Sequence, residues 1–198
     1  MILQTVLTEL DGMLSESGTL IDLYKAKEIS FFNKVVQWAE KLEKLAEDNK
    51  WPFQASLAGL RGRLVTASRS QRDDGFDWMP KSKNSRRARE ALAAETVGLA
   101  VEIAKTYVEG DRSLLCEASN LLRQLLASAV VKGVVGLKPP NGNGRHIAQS
   151  WAAVASNPEF GAASAHIVGL VGAYNAYILF DKCFDEIFIN GNGMKNLR

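Results

Sequence analysis

Tyr24, Phe31, Trp38 and Leu45 recur every seven residues, with Val35 and Leu42 beside them on one face of a 3.6-residue period. Asn33, Lys34, Gln37, Glu40, Lys41 and Lys44 fill the opposite face, and Glu40 precedes Lys44 in the favourable i,i+4 orientation. A segment patterned in this way buries a stripe rather than alternate residues, so it must pack as a helix against other helices. Helical periodicity returns along most of the chain, and no strand is strongly signalled. Ser128 to Val135 is β-branched, but its length and setting favour helix.

Local breakers divide the pattern. Residues 2–14 suit a short first helix that closes near Gly12 or the Ser15–Gly18 turn. Thr19 caps a long second helix, with Asp22 three positions on in the manner of a capping box. Asn49-Lys50-Trp51-Pro52 ends it, and Pro52 opens a third helix, to about Ser68, on Phe53, Leu57, Leu60 and Leu64. A fourth runs from about Ser85 to Val108, with Leu92, Leu99, Ile103 and Tyr107 marking its expected core stripe and Gly110 in the C′ position. Arg112 to Val135 is apolar around most of its circumference and is expected at the centre. Lys138-Pro139-Pro140-Asn141-Gly142-Asn143-Gly144 is a firm break, followed by a short helix to about Ala155. Asn157, Pro158 and Glu159 read as N-cap, N1 and N2 of a last helix to Ile189, and 190–198 as a flexible tail. The expectation is all-α: a single domain over 1–198, a helical bundle of about six or seven helices. A long basic loop over 69–84 would project from one end.

Composition narrows the setting. An apolar fraction of 46% supports a sizeable core, and Cys116 and Cys183 read as free thiols suited to a reducing cytoplasm. The N-terminus lacks the basic leader of a secretory signal. Gly161 to Phe180 is long enough to span a bilayer, but Ser164, His166, Asn175 and many Gly and Ala dilute it. No basic cluster flanks it, so a buried helix of a soluble protein is expected rather than a membrane span.

Charge supplies the first candidate site. From Arg61 to Arg89 nine Lys or Arg stand against three Asp, a net +6 in a chain whose total is +2. Arg61, Arg63, Arg69 and Arg72 lead into the loop; Lys81, Lys83, Arg86, Arg87 and Arg89 lead out of it, with Trp78 between. Cations beside an exposed aromatic suit nucleic acid, because they displace phosphate counterions while the ring stacks on a base. The alternatives are a solvated loop whose arginines pair with Asp73, Asp74 and Asp77, or an acidic protein surface.

Two further groups stand out. Gly144, Arg145 and His146 open a helix behind a glycine-rich turn, where exposed N–H groups and a guanidinium attract anions. They lack the pattern of a P-loop or dinucleotide fingerprint, and a plain interhelical turn is the simpler expectation. On the last helix Ala165, Gly169, Gly172 and Ala173, with Tyr177 beyond, form a small-residue face that lets another backbone come close. That backbone belongs either to the apolar fifth helix or to another subunit.

No His, Cys or carboxylate spacing marks a metal site, and no cofactor is expected. No catalytic residue is marked by its neighbours, which leans against an enzyme. The favoured expectation is a non-enzymatic interaction or assembly subunit that contacts nucleic acid or a nucleoprotein complex through the basic region. A purely protein-binding helical module (adaptor, inhibitor or immunity protein), or a homo-oligomer formed through the last helix, is the main alternative. An enzyme with a dispersed site around Arg145 and His146 is the third.

Overall fold

The structure, a computed structural model, describes residues 2–69, 85–136 and 144–189. Over these the chain is all-α, with six helices and no strand: α1 (Gln4–Lys25), α2 (Phe31–Asp48), α3 (Gln54–Arg69), α4 (Ser85–Val131), α5 (Gly144–Ser156) and α6 (Gly161–Ile189). The expected projecting loop falls almost wholly outside the described residues, as do most of the break at 138–144 and the 190–198 tail. The chain groups into two compact units, one formed by residues 6–109 and the other by the described residues on either side. Helices α1 and α4 contribute to both.

The first helix break is not where local signals put it. Ser15 to Gly18 is helical, and the chain instead turns after Lys25. Lys27 adopts φ 57°, Lys27 N–H donates to Tyr24 O at 3.0 Å, and Glu28 N–H donates to Leu23 O at 3.0 Å. This is a Schellman motif with lysine in the left-handed position that glycine usually fills. Lys50, at φ 53°, ends α2 with the same pair of bonds, from Lys50 N to Glu47 O and from Trp51 N to Ala46 O. Without a glycine, neither geometry is advertised by composition. The Tyr24–Phe31 interval is therefore not one helix: the two rings meet across the turn, 5.2 Å apart.

Within the 6–109 unit, the stripe on α2 is buried as its period requires: Phe31, Val35, Trp38, Leu42 and Leu45. The indole N–H of Trp38 donates to Met13 O of α1 at 2.8 Å, so its one polar group is satisfied. Helix α3 packs on α2 through Leu57, Leu60 and Leu64, and Trp51, Phe53 and Tyr107 form an aromatic cluster.

The expected break at Gly110 is absent, because α4 continues through it to Val131. Its buried residues Ala93, Val97, Ala100, Ala104, Val108, Leu115, Ala118, Leu122 and Leu125 keep the helical phase across the glycine. Continuing that stripe outweighs the roughly 1 kcal/mol that a glycine costs a helix interior. Asn157 is also corrected: it supports a turn, accepting from Glu159 N–H through Oδ1 at 2.9 Å, and α6 begins at Gly161.

In the second unit α5 packs on α6, with Trp151 and Phe180 rings 5.1 Å apart and Phe180 and Phe184 fully buried. Helix α6 is kinked at Gly172, whose φ of 79° and ψ of 157° are open to glycine at little cost. The buried Asn175 side chain works beside this kink. Its Nδ2 donates to Val171 O at 3.0 Å, just before the break, and to Ile2 O at 3.2 Å. Its Oδ1 accepts from Gln4 N–H at 2.8 Å, while Asp111 Oδ2 accepts from Ile2 N–H at 2.6 Å. Both α4 and α6 contain stretches long and apolar enough to cross a membrane, 33% and 39% buried respectively. Helix α6 buries one face, including Ile167, Val171, Ala176 and Phe180, and exposes the other.

Candidate functional site

The basic region, built up from its elements, is not a uniform patch. Arg61 of α3 pairs with Glu43 of α2, whose carboxylate raises the guanidinium pKa above its ordinary value chiefly through their hydrogen bond. Arg63 lies 3.4 Å from Glu95 across exposed surface, and Arg69 is exposed in the last turn of α3, where a cation suits the helix dipole. Arg89 places its guanidinium over the Phe32 ring, 5.5 Å from the centroid. Arg72, Trp78, Lys81 and Lys83 lie outside the described residues.

At the start of α4 the arrangement changes. Arg86 reaches back across the Lys27 turn: its Nη2 donates to Lys27 O at 2.9 Å and its Nε to Glu90 Oε1 at 2.6 Å. A guanidinium here satisfies a carbonyl left over at the end of α1 and brings its charge to the negative end of that helix. Arg86 therefore ties two helix ends together. Arg87, the next residue, is exposed and has no hydrogen bond or ion pair among the described residues.

The result is a surface cleft of about 700 Å³ between the end of α1 and the start of α4, lined by Tyr24, Lys25, Lys27, Arg86, Arg87, Glu90 and Ala91. Four cations face one carboxylate, and Arg86 already holds that carboxylate. Lys25 has a loose 3.4 Å contact with Asp22, both side chains being largely exposed. Tyr24, at 39% exposure, supplies an accessible aromatic surface. Such a site can bind anions by charge and planar groups by stacking.

Sequence reasoning found Arg86 and Arg87 but missed Tyr24, Lys25 and Lys27. Tyr24 is assigned to a core stripe there, whereas it stands at a helix terminus. The available signal was the Tyr-Lys-Ala-Lys run itself. Its meaning depends on contact with residues about sixty positions later.

The other candidates separate. Gly144 is the first residue of α5, Arg145 is exposed, and the half-buried His146 meets the Phe184 ring edge-on at 5.9 Å. His146 Nε2 is buried with no hydrogen-bond partner among the described residues. On α6 Ala165, Gly169, Gly172 and Ala173 are all exposed, and Tyr177 is half-buried. The face of α6 that packs within the fold is a different one: Ser164, Ile167, Val171, Asn175 and Ala176.

Cys183 is buried and Cys116 exposed, both as free thiols. Burial pushes the Cys183 thiol up, partly opposed by its contact with Ser119, whose hydroxyl lies 3.7 Å from the sulfur. Among the described residues no three His, Cys, Asp or Glu side chains are grouped to hold a metal ion. Protein-family models, characterised proteins and solved structures contain no match to this chain.

Proposed function

We propose that this protein is a non-enzymatic, cytoplasmic interaction subunit that contacts nucleic acid, alone or within a nucleoprotein complex, through the cleft at the α1–α4 junction. One observation carries this reading: Lys25 and Lys27, distant in sequence, converge on Arg86 and Arg87 around a concave surface that also exposes Tyr24. Evenly spread surface charge would not need such convergence. Free thiols at Cys116 and Cys183 support a reducing compartment.

The test is the salt dependence of oligonucleotide binding. Lys25, Lys27 and Arg87 are the cations available to phosphates, since Arg86 is engaged by Glu90 and Lys27 O. Three phosphate contacts give a log–log salt slope of about −2 on single strands. Replacing these three residues with Ala should abolish that slope along with the affinity. A slope near zero, or binding unchanged in the triple variant, refutes the assignment. Arg86 and Arg89 are poor test positions because each also packs within the fold.

A second reading has its own support. Helix α6 exposes Ala165, Gly169 and Ala173 together with Tyr174 at 53%, a surface suited to a protein partner. Binding to a protein partner that survives the cleft variant but fails with Ala165→Arg would favour it.

A further inference from the structure

We propose that the α1–α4 cleft selects single-stranded over double-stranded nucleic acid, by stacking an unpaired base on Tyr24 while Lys25, Lys27 and Arg87 hold the flanking phosphates. The inference rests on the nucleic-acid reading above and adds strand specificity to it. Three features of the cleft lead to it.

Its concavity comes first. The cleft offers about 700 Å³ in an open depression, room for a splayed-out nucleotide to lie against its wall. A duplex keeps its bases paired and stacked inward, and presents phosphates to the rim alone. The position of Tyr24 comes second. Its ring leans on Phe31 with centroids 5.2 Å apart, which holds it in place, yet 39% of the residue remains exposed in the cleft wall. An anchored ring with an open surface loses little freedom when a base stacks on it.

The third feature is the distribution of charge. Lys25 and Lys27, which follow Tyr24 in the chain, line the cleft from the end of α1, and Arg87 lines it from the start of α4. Both helix ends therefore contribute cations to the cleft that holds the ring, so the phosphates on either side of a stacked base would meet positive charge. Glu90, the carboxylate lining the cleft, is bound to Arg86, and Asp22 beside the cleft makes a loose 3.4 Å contact with Lys25, so each carboxylate already faces a cation.

Fluorescence anisotropy with labelled 15-mers tests this, using dT, U and a matched duplex at one fixed salt concentration. Single strands should bind at least tenfold more tightly than the duplex. Tyr24→Leu should weaken single-strand binding between about fivefold and a hundredfold, leave duplex binding unchanged, and be rescued by Tyr24→Phe. A strand carrying 5-iodouracil should photocrosslink to Tyr24 in the unaltered protein, which checks the contact even if Tyr24→Leu disturbs the packing on Phe31. Equal affinity for duplex and single strand, or a crosslink confined to other residues, overturns the strand specificity. If the Lys25, Lys27 and Arg87 substitutions still abolish binding in that case, the nucleic-acid reading stands. Absence of binding to any of the three oligonucleotides at low salt overturns both.

Discussion

Replacing Asn175 with Leu should cost more stability than any comparable change on the surface of α6. The side chain is 3% exposed and makes three hydrogen bonds, to Val171 O, Ile2 O and Gln4 N–H. Leucine keeps the branched shape but is bulkier, so overpacking at this buried site would add to the loss of polar satisfaction. At roughly 1 kcal/mol for each hydrogen bond the loss is about 3 kcal/mol, and more if the two carbonyls stay dry. For a chain of this size that corresponds to a fall in Tm of about 6–12 °C. Urea unfolding followed by circular dichroism would measure it. A double-mutant cycle with Asp111→Ala sharpens the test, because Asp111 accepts from Ile2 N–H and holds the same N-terminal segment. Once Asn175 has released residues 2–4, losing Asp111 should matter less, and the two effects should fall short of additivity by about 1 kcal/mol. A cost below about 1 kcal/mol for Asn175→Leu, or strict additivity in the cycle, would refute the role assigned to this side chain.

Three other outcomes are expected. Lys50→Gly should raise stability by about 1 kcal/mol in thermal melts, since it relieves a left-handed lysine; Lys27→Gly should do the same while weakening oligonucleotide binding. Gly110→Ala should also stabilise, by about 0.5–1 kcal/mol, because α4 is helical there and a methyl group meets nothing within 4 Å; a loss of stability would mean that Gly110 serves as a break after all. The Cys183 thiol, raised from an ordinary pKa of 9.0 by burial, contributes stability that is complete below pH 9.0 and lost as pH rises through the higher folded value. Melting temperatures above pH 9.0 should therefore fall more steeply for the wild type than for Cys183→Ala, and native alkylation should label the exposed Cys116 well before Cys183.

The all-α class and the facing of α2 were legible in the sequence because periodicity is a local property. The α2 stripe of Phe31, Val35, Trp38, Leu42 and Leu45 is buried as its spacing demands, whereas on α4 the large residues Leu92, Leu99 and Ile103 are only half-buried, Tyr107 is exposed, and the smaller Ala93, Val97, Ala100, Ala104 and Val108 form the core face. Helix ends were less legible, since each rests on a balance of about 1 kcal/mol that packing can tip. Gly110 looks like a stop and is overridden by a buried stripe that continues past it. Lys27 and Lys50 do not look like stops, yet both adopt the left-handed conformation that ends a helix and are closed by local backbone hydrogen bonds that no glycine advertises. The cleft belongs wholly to the tertiary structure. Its charge is visible as Lys25, Lys27, Arg86 and Arg87, but one pair ends α1 and the other opens α4, and only folding brings those helix ends together.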